Sequence, residues 1–159
     1  MTGEVAARVA SHPFTAGLAA EHLRTLCEAA APLSYPPGKR IFAEGGAADR
    51  FWLLERGSVA LDLRVPGRGD QVIETLVAGT VLGWSWMNPP YRWQFGAVAR
   101  EHTDTVAFDA ASVRRRCDTD PAFGYAILQL FTPVITGRLQ ATRLRLLDLY
   151  ATAGQAGRP

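Results

Sequence analysis

"YPPGKRIFAEGGAADRFWLLERGSVAL", residues 35–61, is the stretch on which the fold turns. Pro36, Pro37 and Gly38 stop any helix arriving from the N-terminal side, because proline lacks an N–H and glycine turns freely. From Arg40 onward the pattern changes to short β segments separated by turn formers. In "RFWLLERGSVALDLRV", residues 50–65, apolar runs flank Arg56-Gly57 on both sides. That arrangement predicts a tight hairpin at Gly57.

The same rhythm continues toward the C-terminus. "PGRGD" (66–70) is a turn and "QVIETLV" (71–77) a strand; Ala78-Gly79 then turns into "TVLGW" (80–84). "WQFGAVAR" (93–100) and "TDTVAFD" (103–109) complete the set. Six to eight short strands with glycine-rich turns predict an antiparallel β barrel or jelly roll.

Helical patterns flank it. "GLAAEHLRTLCEAA" (17–30) puts Leu18, His22 or Leu23, Leu26 and Cys27 on one face, an amphipathic helix that runs to the "PPG" turn. Residues 1–12 read as a flexible lead-in or a short helix, and residues 13–150 as the domain. Asp109 is the expected N-cap of a short helix in "DAASVRRRC", and Asp120-Pro121 the N-cap and first position of a long one. The long helix should reach about Tyr150, kinked at Pro133, with residues 151–159 a disordered tail. Leu128, Thr132, Ile135, Leu139, Thr142, Leu146 and Leu149 follow the alternating spacing of a coiled-coil seam. Ile127, Phe131 and Val134 form a second apolar face for the barrel. Two faces on one helix predict a parallel homodimer through it.

The chain has 159 residues, with 48% hydrophobic and 20% charged residues, which suits one globular domain. A formal net charge of +2 is too small to argue for nucleic acid. No run is apolar enough to span a membrane, and the first residues lack the apolar core of a signal peptide. Cys27 and Cys117 lie far apart and read as reduced thiols, so a cytoplasmic location is expected. His12, His22 and His102 are scattered without metal-ligand spacing, so no metal is expected. There is no nucleophile elbow, Cys–His pair or phosphate-binding loop, so no enzyme is expected. The basic run Arg114, Arg115 and Arg116 reads as a solvated helix face.

The order of elements and the glycines resemble the cyclic nucleotide-binding domain family. The resemblance rests on Gly38, Ile41-Phe42, Glu44-Gly45, Ala48-Asp49, Leu53, Gly57, Val59, Gly79 and Gly83, and covers residues 14–150. "RLQATR" (138–143) is also similar to the C-terminal helix of the bacterial cyclic-AMP receptor proteins. In those proteins a threonine at the position of Thr142 reaches the base of the nucleotide near the dimer seam. The resemblance implies a jelly roll with an N-terminal helix and a long C-terminal helix, and a cytoplasmic signalling role. It implies a cyclic nucleotide such as cyclic AMP as ligand. The related transcription factors append a helix-turn-helix domain after this point; with nine residues left beyond Tyr150, the chain is not expected to read DNA alone.

The ligand loop departs from the family pattern. "GTVLGWSWMNPPYRWQFGAVA" (79–99) holds Trp84, Trp86, Tyr91, Trp93 and Phe95 around Pro89 and Pro90. Family members that bind nucleotide place Glu after the glycine, to accept from the ribose hydroxyl. They end the loop in an arginine for the phosphate, followed by Ser, Thr or Ala. Here Trp84 replaces the Glu, and Trp93 follows Arg92. Losing a hydrogen-bonded carboxylate removes roughly 1.5–3 kcal/mol. The candidate ligand-binding residues are Leu82, Gly83, Trp84, Ser85, Trp86, Arg92 and Trp93 from the loop, with Thr142 and Arg143 from the long helix. Arg138, Arg143 and Arg145 otherwise read as surface partners of Asp148. Two functions stay open. One is a non-catalytic sensor that binds a cyclic nucleotide or another small ligand. The other is a degenerate domain kept as a structural or protein-interaction subunit, with the aromatics filling the old pocket or docking a partner protein.

Overall fold

The computed structural model describes residues 2–157. Eight strands form two four-stranded antiparallel sheets that face each other. They are β1 (Ala30–Tyr35), β2 (Arg40–Phe42), β3 (Arg50–Arg56), β4 (Ser58–Val65), β5 (Gly69–Val77), β6 (Val81–Leu82), β7 (Gly96–Ala99) and β8 (Thr103–Asp109). One sheet has the order β1-β8-β3-β6 and the other β2-β7-β4-β5. Helices α1 (Thr2–Ser11) and α2 (Ala20–Cys27) precede the strands; α3 (Ala110–Thr119) and α4 (Pro121–Ala156) follow them. This is the expected jelly roll with flanking helices.

Local chemistry sets the helix starts. Asp109 accepts from the Ser112 N–H at 2.9 Å, and Asp120 from the Phe123 N–H at 3.2 Å. Each satisfies a donor that the first helical turn leaves free. Pro121 sits at the first position of α4, where no N–H is needed. Helix α4 packs Phe123, Ile127 and Phe131 into the core and leaves Leu128, Ile135, Leu139, Leu146 and Leu149 exposed.

Four expectations are corrected. Of the two readings of the N-terminal residues, the flexible lead-in gives way to the short helix over residues 2–11: α1 has Val9 fully buried, and Arg8 pairs with Glu55 of β3. Helix α2 ends at Cys27, and residues 30–35 are a strand instead of its last turn. The strand forms because β8 supplies a partner along its whole length. The tail does not begin at residue 151, since α4 runs through Pro133 to Ala156; residues 158 and 159 lie outside the described residues. Arg56-Gly57 is a corner, not a hairpin, because β3 and β4 belong to different sheets. The hairpin is the next one, β4 with β5 across the "PGR" turn.

The corner explains Gly57. Its φ is +88°, and a Cβ there would meet the His102 carbonyl oxygen at 2.4 Å. Gly67, in the β4–β5 turn, has a similar φ of +79° but open space around it. Left-handed backbone alone costs an L-residue roughly 1–2 kcal/mol. Gly67→Ala should lose about that much stability, and Gly57→Ala clearly more, read as the urea unfolding midpoint at constant slope. Equal losses would mean that the corner is not sterically closed.

Candidate functional site

The loop between β6 and β7 leaves Leu82 at Gly83 (φ +95°), makes a 3-10 turn at Ser85–Met87, and returns through residues 91–95. Its return leg pairs with residues 45–48. Gly45 N–H donates to Trp93 O at 2.8 Å, Trp93 N–H to Gly46 O at 2.9 Å, and Ala48 N–H to Tyr91 O at 2.8 Å. In extended backbone successive side chains alternate faces, so this pairing decides which residue enters the pocket. Trp93 goes in and is 2% exposed. Arg92 goes out, with Nη1 3.3 Å from the Gly45 carbonyl oxygen.

The inward indole takes the space beside Gly83. Trp93 stacks on Phe42 at 3.8 Å between ring centroids, and a Cβ on Gly83 would meet the Trp93 ring at 2.8 Å. Trp86 is buried between Phe51 and Phe131, with centroids 4.8 and 5.3 Å away. Leu82 is fully buried in β6. Arg114 of α3 donates to the Trp86 carbonyl at 2.8 Å, and its guanidinium lies 4.2 Å over the Tyr91 ring. Arg114 thus holds the loop, a role that "RRR" as a solvated face did not suggest. Ser85 Oγ and Trp86 Nε1 are buried without a hydrogen-bond partner.

A cavity with a volume of about 370 Å³ lies one layer further out, between β4, β5 and α4. Trp84 and Phe95 form one wall, edge to face with centroids 5.8 Å apart. Leu61 and Ile73 come from the strands, and Ile135, Leu139 and Thr142 from α4. Arg138 crosses it. Its guanidinium carbon sits 4.2 Å above the Trp84 ring, and its Nε is 3.5 Å from a Glu74 oxygen. The side chain is 13% exposed, and Nη1 is buried without an acceptor. Burial pulls the guanidinium below its ordinary range, while Glu74 pulls the other way. Arg145 donates to the Ile73 carbonyl.

Of the candidate ligand residues, Trp84 and Thr142 meet in this cavity. Thr142 turns its hydroxyl to the Arg138 carbonyl at 2.9 Å. Arg92 and Arg143 are exposed and line none of its walls. Leu82, Gly83, Ser85, Trp86 and Trp93 line none either, being taken up by the core and the loop. The pairing of Arg138 and Arg145 with Asp148 is corrected: they reach Glu74 and Ile73 of β5 instead. Sequence reading missed Arg138 and Glu74 as site residues. One signal was available, since Arg138 stands four positions before Thr142 and shares its helix face.

A family model described as "Cyclic nucleotide-binding domain" matches residues 32–120, more than half of the chain. Among curated proteins no sequence matches significantly. A protein of Geobacter metallireducens GS-15 named for cyclic nucleotide binding is 26% identical, with a TM-score of 0.75 over 84% of this chain and 96% of that one. A cyclic nucleotide-binding domain from Methylobacillus flagellatus KT is 22% identical, with a TM-score of 0.76 over 92% and 83%. The regulatory domain of Toxoplasma gondii PKA with cAMP is 17% identical, with a TM-score of 0.64 over 72% and 44%.

The loop geometry separates two side chains adjacent in sequence. Trp93→Ala should cost about 3–5 kcal/mol, as large aromatic deletions from a core do. Arg92→Ala should stay within about 0.5 kcal/mol. Thermal unfolding of the two variants checks this, and a comparable loss in both would contradict the inward indole.

Proposed function

The chain belongs to the cyclic nucleotide-binding domain family, and from that premise we propose that it is a non-catalytic regulatory module that senses a small ligand between its barrel and α4. The observation that carries this reading is the cavity itself. It is walled on one side by strands and the aromatic loop, and on the other by a helix whose outer half is free of the core. An occupant touching both walls favours one position of α4 over others, and so changes what α4 presents.

The polar loop chemistry that would hold a cyclic nucleotide does not fit here. Trp84 replaces the carboxylate for the ribose, the Trp93 ring covers Gly83, and Arg92 points away. The same filled loop favours a second reading, a structural subunit that keeps the fold for protein contact. The two part on whether the outer cavity binds anything. Hydrogen exchange across residues 135–150 is expected to slow with at least one small ligand. Suitable probes are cyclic AMP, cyclic GMP, a cyclic dinucleotide, and small acids with their neutral amides. Leu139→Trp, which fills the cavity, should remove both the heat of binding and the protection. Binding that never alters exchange in α4 would sink the sensor reading.

We place a second copy of the chain on the outer face of α4. Leu128, Ile135, Leu139, Leu146 and Leu149 are exposed and fall on the coiled-coil spacing, with Ile135 and Leu139 at the border with the cavity. Both cysteines are free, and burial pushes both thiols up, which suits a reducing cytoplasm. Among the described residues, no helix is long and apolar enough to cross a membrane. Sedimentation should give a dimer at micromolar concentration. Leu146→Glu with Leu149→Glu should give a folded monomer; a monomeric parent protein would remove the pairing.

A further inference from the structure

Arg138 is the least satisfied group in the cavity. A guanidinium carries five donors in a planar fork. Here the nearest carboxylate oxygen stands 3.5 Å from Nε, and Nη1 has lost water without gaining an acceptor. Its flat face is held against Trp84 at 4.2 Å. A planar cation on an indole occupies the space that a planar ligand ring would take.

Charge sets the second condition. Arg138 and Arg145 stand against the single carboxylate of Glu74, so the cavity wall carries one net positive charge. That balances one negative charge on a ligand. Two charges would sit against Glu74, and no backbone cradle is open to share them, because the Trp93 ring covers Gly83. Shape sets the third. Leu61, Ile73, Phe95 and Leu139 make the rest of the wall apolar. A volume of about 370 Å³ is at the small end of ligand sites.

The geometry points to a small aromatic monocarboxylate as the ligand class of this cavity, with Arg138 as its anchor. This rests on the cavity being the sensing site. On binding, the guanidinium leaves the face of Trp84, the ligand ring takes its place, and the carboxylate receives the donors of Arg138, including the one now unpaired. A bidentate, charge-assisted pair replaces a long contact to Glu74. Arg138 lies on α4 and Glu74 on β5, so the exchange of partners also changes a tie between the helix and the barrel.

Phenylacetate and its uncharged twin phenylacetamide isolate the charge at nearly constant shape. Calorimetry on the full chain is expected to show phenylacetate binding at least tenfold more tightly than the amide. Arg138→Gln should level the two, with unfolding curves confirming a folded variant. Trp84→Leu keeps the charge and removes the stacking face, and should weaken acid and amide alike. Equal affinities in the parent protein, or no heat from the acid, would overturn the ligand class. Cyclic AMP displacing phenylacetate and binding more tightly would overturn it too, while leaving the cavity as the sensing site. If α4 exchange stays unchanged with every bound probe, the site reading itself has failed.

Discussion

Phe51 and Phe131 hold the molecule together. Phe51 lies near the start of β3 and stacks flat on Phe108 of β8 at 4.7 Å and on Trp86 of the loop at 4.8 Å. Phe131 of α4 meets Phe51 edge-on at 5.3 Å and Phe14 of the N-terminal segment at 5.0 Å. One cluster therefore joins a sheet, the loop between β6 and β7, the chain ahead of the barrel and the long helix. Each such pair adds about 0.5–1.5 kcal/mol beyond its burial. The cluster divides α4 in two. The part through Phe131 cannot shift without opening the core, whereas the part beyond Pro133 is tied to the barrel mainly through Arg138 and Arg145. The cavity sits against that second part.

The aromatic loop and the cationic helix are two sides of one exchange. Indoles fill the space next to Gly83, and Arg92 is turned to the surface by strand alternation. What positive charge the pocket keeps comes from the opposite wall, from Arg138 and Arg145. Under the proposed sensing role, carrying the charge on the helix and not on the loop ties the helix position to the charge of the occupant.

Sequence patterns carried the elements whose state is decided locally. "TDTVAFD" is rich in β-branched and aromatic residues between turn formers, and β8 occupies those seven positions. Asp109 and Asp120 cap helices because a carboxylate before a helical run has few better uses. "AAPLSY" was missed because two alanines and a proline have weak strand preference; pairing with β8 decides its state. The Gly57 corner was misread because a hairpin and a sheet-to-sheet corner share one turn signature, and only distant partners tell them apart. Trp84 and Thr142, which line the outer cavity, were legible as candidates from their motifs. Arg138 was not, since its role depends on Glu74, far away in the chain and brought close by the β4–β5 hairpin.

The strand order has a consequence for synthesis. β8 lies between β1 and β3, so the first strand to be made waits for the last. Residues 30–35 have no strand to bond until β8 has been made, and β3 has only the two residues of β6 along one edge; Phe51 can stack on Trp86 by then, but its partner within the sheet, Phe108, comes last. Such non-local closure is slow and leaves apolar strand edges open meanwhile. The nascent chain is therefore most prone to aggregation in the interval after β3 emerges and before β8 does, and the polar, proline-bearing β1 is the edge it exposes.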